Sequence, residues 1–156
     1  MATVNNIEII DYSGKYHDDF RRLNLGWLEE YQLTESHDLA ILNDPENTVI
    51  NKGGCIFLAL HQHRIIGTAG LAKESDTVFE LIKMAVDPAY RGRGISKLLL
   101  NRCIGEAKNR KAKKLFLFSN SRLQTAISLY TKYGFRHTDP ANSPLLTADI
   151  KMELVL

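Results

Sequence analysis

AYRGRGISKLLL, residues 89–100, is the stretch whose reading decides the fold. Gly92 and Gly94 stand beside Arg91 and Arg93, directly ahead of an apolar pattern with helical spacing. Glycine loses more backbone freedom on folding than any other residue, so its placement there needs a reason. A helix start leaves backbone N–H groups without partners, and the helix dipole adds partial positive charge. A glycine turn lets those N–H groups converge on an anion with no Cβ in the way. Arg91 and Arg93 add donors and charge. On these residues alone two readings stand: a diphosphate cradle, or a turn that only reverses the chain. Neither the Gly-x-x-x-x-Gly-Lys-Ser/Thr loop nor the Gly-x-Gly-x-x-Gly fingerprint is present.

Outward from this stretch, periodicity orders the chain. Residues 5–13 alternate around Ile7 and Ile9 and predict a first strand. Tyr16, Phe20, Leu23, Trp27 and Tyr31 form one stripe of a helix over 14–31. A short helix is expected over 36–42, running into the turn signal Asn43-Asp44-Pro45. Residues 55–75 read as two strands joined by a tight turn near Gln62–Arg64, and 78–88 as a third strand of the meander. The helix after the glycines should run over 94–110, burying Ile95, Leu99, Cys103 and Ala107 with Leu98 beside them. Residues 113–120 suit a strand buried on both faces. Leu123, Ala126, Ile127 and Tyr130 share a further helix face, with Gly134 at a left-handed cap, and 150–156 close the chain as a strand. The fold class is therefore α/β: a mixed sheet, with an antiparallel meander followed by a right-handed parallel βαβ crossover and helices on both faces.

Composition narrows the classes of function. A length of 156 residues and a 44% hydrophobic content suit a single domain over 1–156. A formal net charge of +2 gives no argument for nucleic acid or a membrane surface. Cys55 and Cys103 match no metal spacing and no disulfide framework, so a cytoplasmic setting is expected. The start lacks the features of a secretion signal, and no apolar run approaches the roughly 20 residues of a membrane span.

MAVDPAYRGRGISKLLL (84–100) resembles the acetyl-CoA-binding motif of the GCN5-related N-acetyltransferases, written Arg/Gln-x-x-Gly-x-Gly/Ala. The match runs over Arg91, Gly92, Arg93, Gly94, Ile95 and Ser96, with serine at the last small position. AISLYTKYGF (126–135) resembles the family's second signature, and the order of elements fits the whole fold. The resemblance implies transfer of an acetyl group from acetyl-CoA to an amine, directly within a ternary complex. It implies that the backbone of Met84, Ala85 and Val86 pairs with the pantetheine arm. Arg91, Gly92, Arg93, Gly94, Ile95, Ser96 and Lys97 would then surround the diphosphate. Many relatives carry Asn where this chain has Leu123; Asn120 is the nearest amide, out of register. A homodimer is compatible with the resemblance.

The chemistry needs a base, because an ammonium cannot attack a thioester. Glu80 occupies the position of the catalytic glutamate in the histone-acetylating branch. Strand alternation puts Glu80, Ile82, Met84 and Val86 on one face, where apolar neighbours would raise its pKa. A solvent-facing glutamate, or one that binds the amine, is the alternative. Tyr130 is the expected acid for the departing thiolate, placed beside the CoA sulfur by the resemblance. A domain that binds acyl-CoA for regulation, without catalysis, is the competing class of function. KNRKAKK (108–114) reads as a solvated helix end or a ribose-phosphate contact, and His61 and His63 as surface residues. Glu30, Glu35 and Asp38 either attract a cationic amine or lie exposed. No metal site is implied.

Overall fold

The computed structural model describes residues 6–141, 143 and 146–156. Asn5, the first residue of the expected opening strand, lies outside them. The elements are β1 (Glu8–Asp11), α1 (His17–Glu30), α2 (Ser36–Asn43), α3 (Pro45–Thr48), β2 (Cys55–His61), β3 (Arg64–Lys73), β4 (Val78–Val86), α4 (Ile95–Asn109), β5 (Lys114–Ser119), α5 (Gln124–Lys132), β6 (Arg136–Thr138) and β7 (Ile150–Val155). They form one seven-stranded sheet in the order β1-β2-β3-β4-β5-β7-β6. Every neighbouring pair is antiparallel except β4 and β5, which are parallel and joined through α4. The mixed α/β fold expected from the sequence is therefore the fold observed. Among the described residues no helix is long and apolar enough to cross a membrane.

The β2–β3 turn is made by Gln62 and His63, with φ of 49° and 67°. Two left-handed residues in succession match the right-handed twist of a two-residue hairpin. The expected turn at 43–45 continues instead into α3. Asp44 caps that helix by accepting from Asn47 N at 3.4 Å, and Pro45 stands at its start, where a missing N–H costs nothing. The expected helix over 14–31 begins at His17, with Gly14–Tyr16 as a tight preceding turn. β6, absent from the sequence reading, is three residues long and too short to show alternation.

Two cores hold the sheet. Phe20, Leu23, Leu28, Leu33 and Leu42 of the α1–α2 region pack on Ile56, Leu58 and Ile65. On the other face, Ile95, Leu99, Leu100, Cys103 and Ala107 of α4 pack on Phe57, Ala59, Ile66, Leu71 and Leu81. Leu98 does not join the α4 stripe; it is 41% exposed, and Leu100 is buried in its place. Trp27 and Tyr31 are partly buried: they pack against the first of these cores, as expected, and also line a cavity. β5 is buried over Leu115–Leu117 but opens toward its end, because its partner has moved away.

Leu99 seats α4, and with it the glycine turn, on the sheet. Leu99→Ala is expected to lower stability by about 2–5 kcal/mol, read from urea unfolding, because the residue is fully buried.

Candidate active site

The site exists because β4 and β5 pair over only three residues. Val78, Phe79 and Glu80 lie opposite Lys114, Leu115 and Phe116, and pairing ends there. Beyond this point the strands splay around a cavity of about 710 Å³, lined by residues 80–86 of β4 and 117–119 of β5. α1, α2 and α5 supply further walls.

A bulge shapes the β4 wall. Lys83 has φ of 54°, and the register with β3 jumps from Gly70–Ile82 to Thr68–Ala85. Thr68 Oγ1 donates to the Lys83 carbonyl at 2.7 Å, and Asn24 Nδ2 donates to Thr68 Oγ1 at 3.0 Å and to the Phe20 carbonyl at 2.9 Å. This buried chain of bonds ties the bulge to α1. The extra residue resets the alternation. Ile82 packs in the α1–α2 core, whereas Met84 and Val86 pack with the α4 core, as do Phe79 and Leu81. The expectation that Glu80, Ile82, Met84 and Val86 share one face is corrected accordingly: Glu80 goes with Ile82, toward α1 and α2.

The glycine turn follows β4. Asp87 Oδ1 accepts from Ala89 N at 2.9 Å, and its Oδ2 accepts from Arg64 at 3.1 Å. Gly92 and Gly94 have φ of 76° and 82°. A Cβ at Gly94 would meet nothing within 4 Å, so glycine is required there by its left-handed backbone and not by crowding. Gly94 caps α4 without any side-chain hydrogen bond. The first N–H groups of α4 thus keep the capacity that helix starts offer to anions. Ile95, Ser96 and Lys97 line the cavity beside them. Arg91 also borders it, but its guanidinium makes two bonds to Glu30, at 2.9 and 3.0 Å. That pairing holds the Glu30 carboxyl below its ordinary pKa. Arg93 is not among the lining residues; it stacks on the Tyr90 ring at 5.4 Å.

Glu80 and Tyr130 face the same cavity. Burial pushes the Glu80 carboxyl up to about 7, aided by Glu74 and opposed by Lys83 and Lys151. Tyr130 is fixed by the end of its own helix. Gly134 N donates to the Thr131 carbonyl and Phe135 N to the Tyr130 carbonyl, both at 3.0 Å, and the Tyr130 and Phe135 rings meet at 5.7 Å. This is a left-handed glycine cap with its hydrophobic contact, and it locks the tyrosine in place. Burial raises its phenol well above the ordinary value, so it is neutral at physiological pH. Asn120 borders the cavity too, with its amide on the Thr147 carbonyl at 2.5 Å and its oxygen accepting from Arg122 N at 2.9 Å. Leu123 is buried at the start of α5.

The acidic residues near α1 and α2 do not form an open cluster. Glu30 holds Arg91, and Glu35 accepts from Leu146 N and Thr147 N at 2.9 Å each. Asp38 Oδ1 takes Lys83 Nζ at 2.5 Å, while its Oδ2 accepts from Glu35 N at 3.0 Å. Residues 108–114 do not line the cavity; Arg110 bonds Glu106 and the Gly53 carbonyl. His61 Nδ1 lies 3.1 Å from the Tyr90 hydroxyl. Among the described residues no group of three or more His, Cys, Asp or Glu could hold a metal ion. Lys83, Asn24 and Thr68 carry no signal in the sequence, because a bulge and a buried polar chain leave no periodic pattern.

The sequence model of the acetyltransferase (GNAT) family matches residues 9–135, and the chain belongs to that family. It is 30% identical over 120 residues to an Escherichia coli (strain K12) protein named Uncharacterized N-acetyltransferase YjgM, covering 72% of this chain and 71% of that one. It is 34% identical over 86 residues to the N-acetylaspartate synthetase of Rattus norvegicus, covering 54% of this chain and only 29% of the relative's length. An acetyltransferase of GNAT family from Staphylococcus aureus superposes with a TM-score of 0.86 at 26% identity, over 96% of this chain and 99% of that one. A GNAT family acetyltransferase from Elizabethkingia anophelis with acetyl-CoA bound gives a TM-score of 0.68 at 25% identity, over 98% and 100%.

The buried Glu80 makes stability depend on pH. Its carboxyl titrates near 7 when folded and near 4.5 otherwise, so between those values the folded chain holds the extra proton. Stability from this group therefore falls as pH rises from about 4.5 to about 7. Glu80→Gln should have a higher Tm than the parent at about pH 8, with the gain vanishing near pH 4.

Proposed function

We propose that the protein is an N-acetyltransferase that moves the acetyl group of acetyl-CoA to a primary amine, directly within a ternary complex. The observation that carries this reading is the splay of β4 from β5, with the start of α4, which has no side-chain cap, beside the cavity and Glu80 and Tyr130 lining it. The donors present suit the co-substrate. Backbone N–H groups of Gly94, Ile95 and Ser96, with Lys97, would hold the diphosphate, and Met84–Val86 would meet the pantetheine arm as a neighbouring strand does. An acetyl-CoA complex of a family member with a similar fold supports the choice of donor.

Glu80 takes a proton from the acceptor ammonium, directly or through water. A carboxyl with a pKa of about 7 is a stronger base than an ordinary glutamate, yet is largely ionised at slightly alkaline pH. The freed amine attacks the thioester carbon, and backbone N–H groups of β4 stabilise the charge that develops on oxygen. As the C–S bond breaks, the neutral Tyr130 phenol donates to the departing sulfur, CoA leaves as the thiol, and the proton shed by the new amide nitrogen restores the phenol.

Release of free thiol from acetyl-CoA across a panel of amines tests the reading. Acetyl-CoA at 100 times its Kd should stabilise the fold by about 2.7 kcal/mol. Stabilisation with no thiol release on any amine would replace the enzyme with an acyl-CoA-binding domain. Glu80→Gln should lower kcat by about 10²–10⁴-fold and remove the rise of kcat/KM with pH near 7. Tyr130→Phe should lower kcat by about 10²-fold and leave acetyl-CoA affinity nearly unchanged; equal losses in both would mean a packing role. Gly94→Ala forces a side chain into a left-handed backbone at about 1–2 kcal/mol, and should raise the KM for acetyl-CoA with little change in the KM for the amine.

A further inference from the structure

Lys83 is a charged group on the cavity wall that takes no part in the proton transfers described above. Its side chain is 10% exposed, and its ammonium makes one hydrogen bond, to Asp38 Oδ1. An ammonium has three N–H donors. The other two have no acceptor among the described residues. Asp38, 3% exposed in its side chain, is satisfied from both sides, by Lys83 on one oxygen and Glu35 N on the other. The pair therefore offers the cavity a cation with unused donors and no unpartnered carboxylate oxygen. A buried charge with unmet donors is costly unless something else meets them.

The ammonium is also held in place. The Lys83 backbone is fixed in the bulge by the Thr68 hydroxyl, and Asp38 is fixed by the start of α2. Glu80 stands three positions earlier on the same strand and lines the same cavity. The nearby wall from α1 and α2 is apolar at Trp27, Leu28 and Ile41, and the acids Glu30 and Glu35 are engaged elsewhere. Among the described residues no second carboxylate awaits a second ammonium there.

We propose that Lys83 is a carboxylate subsite, so that the acceptor is a small amino carboxylate of the amino-acid class, its amine at Glu80 and its carboxylate at Lys83. This rests on the acetyl-transfer reading above. Electrostatics then select in two directions. The cation attracts the acceptor's carboxylate and repels polyamines, while a peptide N-terminus lacks a carboxylate beside its amine.

The test follows thiol release with L-leucine, L-phenylalanine and L-glutamate, each as the free acid and as its α-carboxamide, and with spermidine. The best free acid should exceed its carboxamide by about tenfold or more in kcat/KM, mainly through KM. Lys83→Met should bring the acid-to-carboxamide ratio of kcat/KM to about one, a ratio in which any change common to both through Glu80 cancels, and Lys83→Arg should restore part of the preference. Lys83→Met leaves Asp38 buried and unpaired, so Asp38→Asn/Lys83→Met, which removes both charges together, repeats the comparison in a fold without a lone buried carboxylate. Carboxamides or spermidine accepted as well as the acids, or a preference that survives the double variant, would overturn the carboxylate subsite and leave acetyl transfer standing. No thiol release on these compounds while other amines of the broader panel release it would likewise overturn the carboxylate subsite; acetyl-CoA binding by thermal shift with no release on any amine of that panel would overturn the acetyl-transfer reading itself.

Discussion

The structure depends on a sheet that is made to open. β4 and β5 are paired only as far as Glu80 and Phe116, yet both continue. Strands normally satisfy each other's backbone groups, and a gap leaves them facing space. The molecule tolerates this because each strand is held firmly on its other side. β4 is paired with β3 as far as Val86, and β5 with β7 along its full length. α4 and α5 bind the two halves across one core that runs from Phe57 to Met152. The opening is thus a rigid slot, and its unpaired edges are the natural place for an extended ligand to complete the ladder.

The same slot sets the electrostatics. Glu80 lies where the strands separate, close enough to the core for burial to dominate its pKa and still on the cavity wall. Tyr130 reaches the slot from the opposite half, held by a helix cap whose hydrogen bonds are made entirely by backbone. The Arg91–Glu30 pair joins the glycine turn to the end of α1, so these two elements beside the cavity are tied by an ion pair as well as by the sheet.

Much of this was legible in the chain. The glycine turn, the tyrosine on its helix face, the cap at Gly134 and the order of the main elements follow from local spacing, and spacing is what a sequence displays most directly. Glu80 was found through resemblance and strand position together. Three things were hidden. α3 looked like a turn because it is a single turn of helix. That Trp27 and Tyr31 line the cavity as well as pack on the core was hidden because an aromatic facing a cavity and one facing a core obey the same period. Lys83 was invisible because its importance comes from a bulge, and alternation counted through Ile82, Met84 and Val86 runs straight across it.

That bulge acts as a phase shifter within one strand. Ahead of it, odd-numbered residues face α4; after it, even-numbered ones do. The two segments of β4 therefore set their faces independently. Substitutions before Lys83 can recast the wall toward α1 and α2 without turning the Met84–Val86 backbone that borders the glycine turn. A relative of equal length that lacks the bulge would present the opposite faces in the aligned columns on one side of it. Residue roles in such a comparison transfer by side of the bulge, not by column.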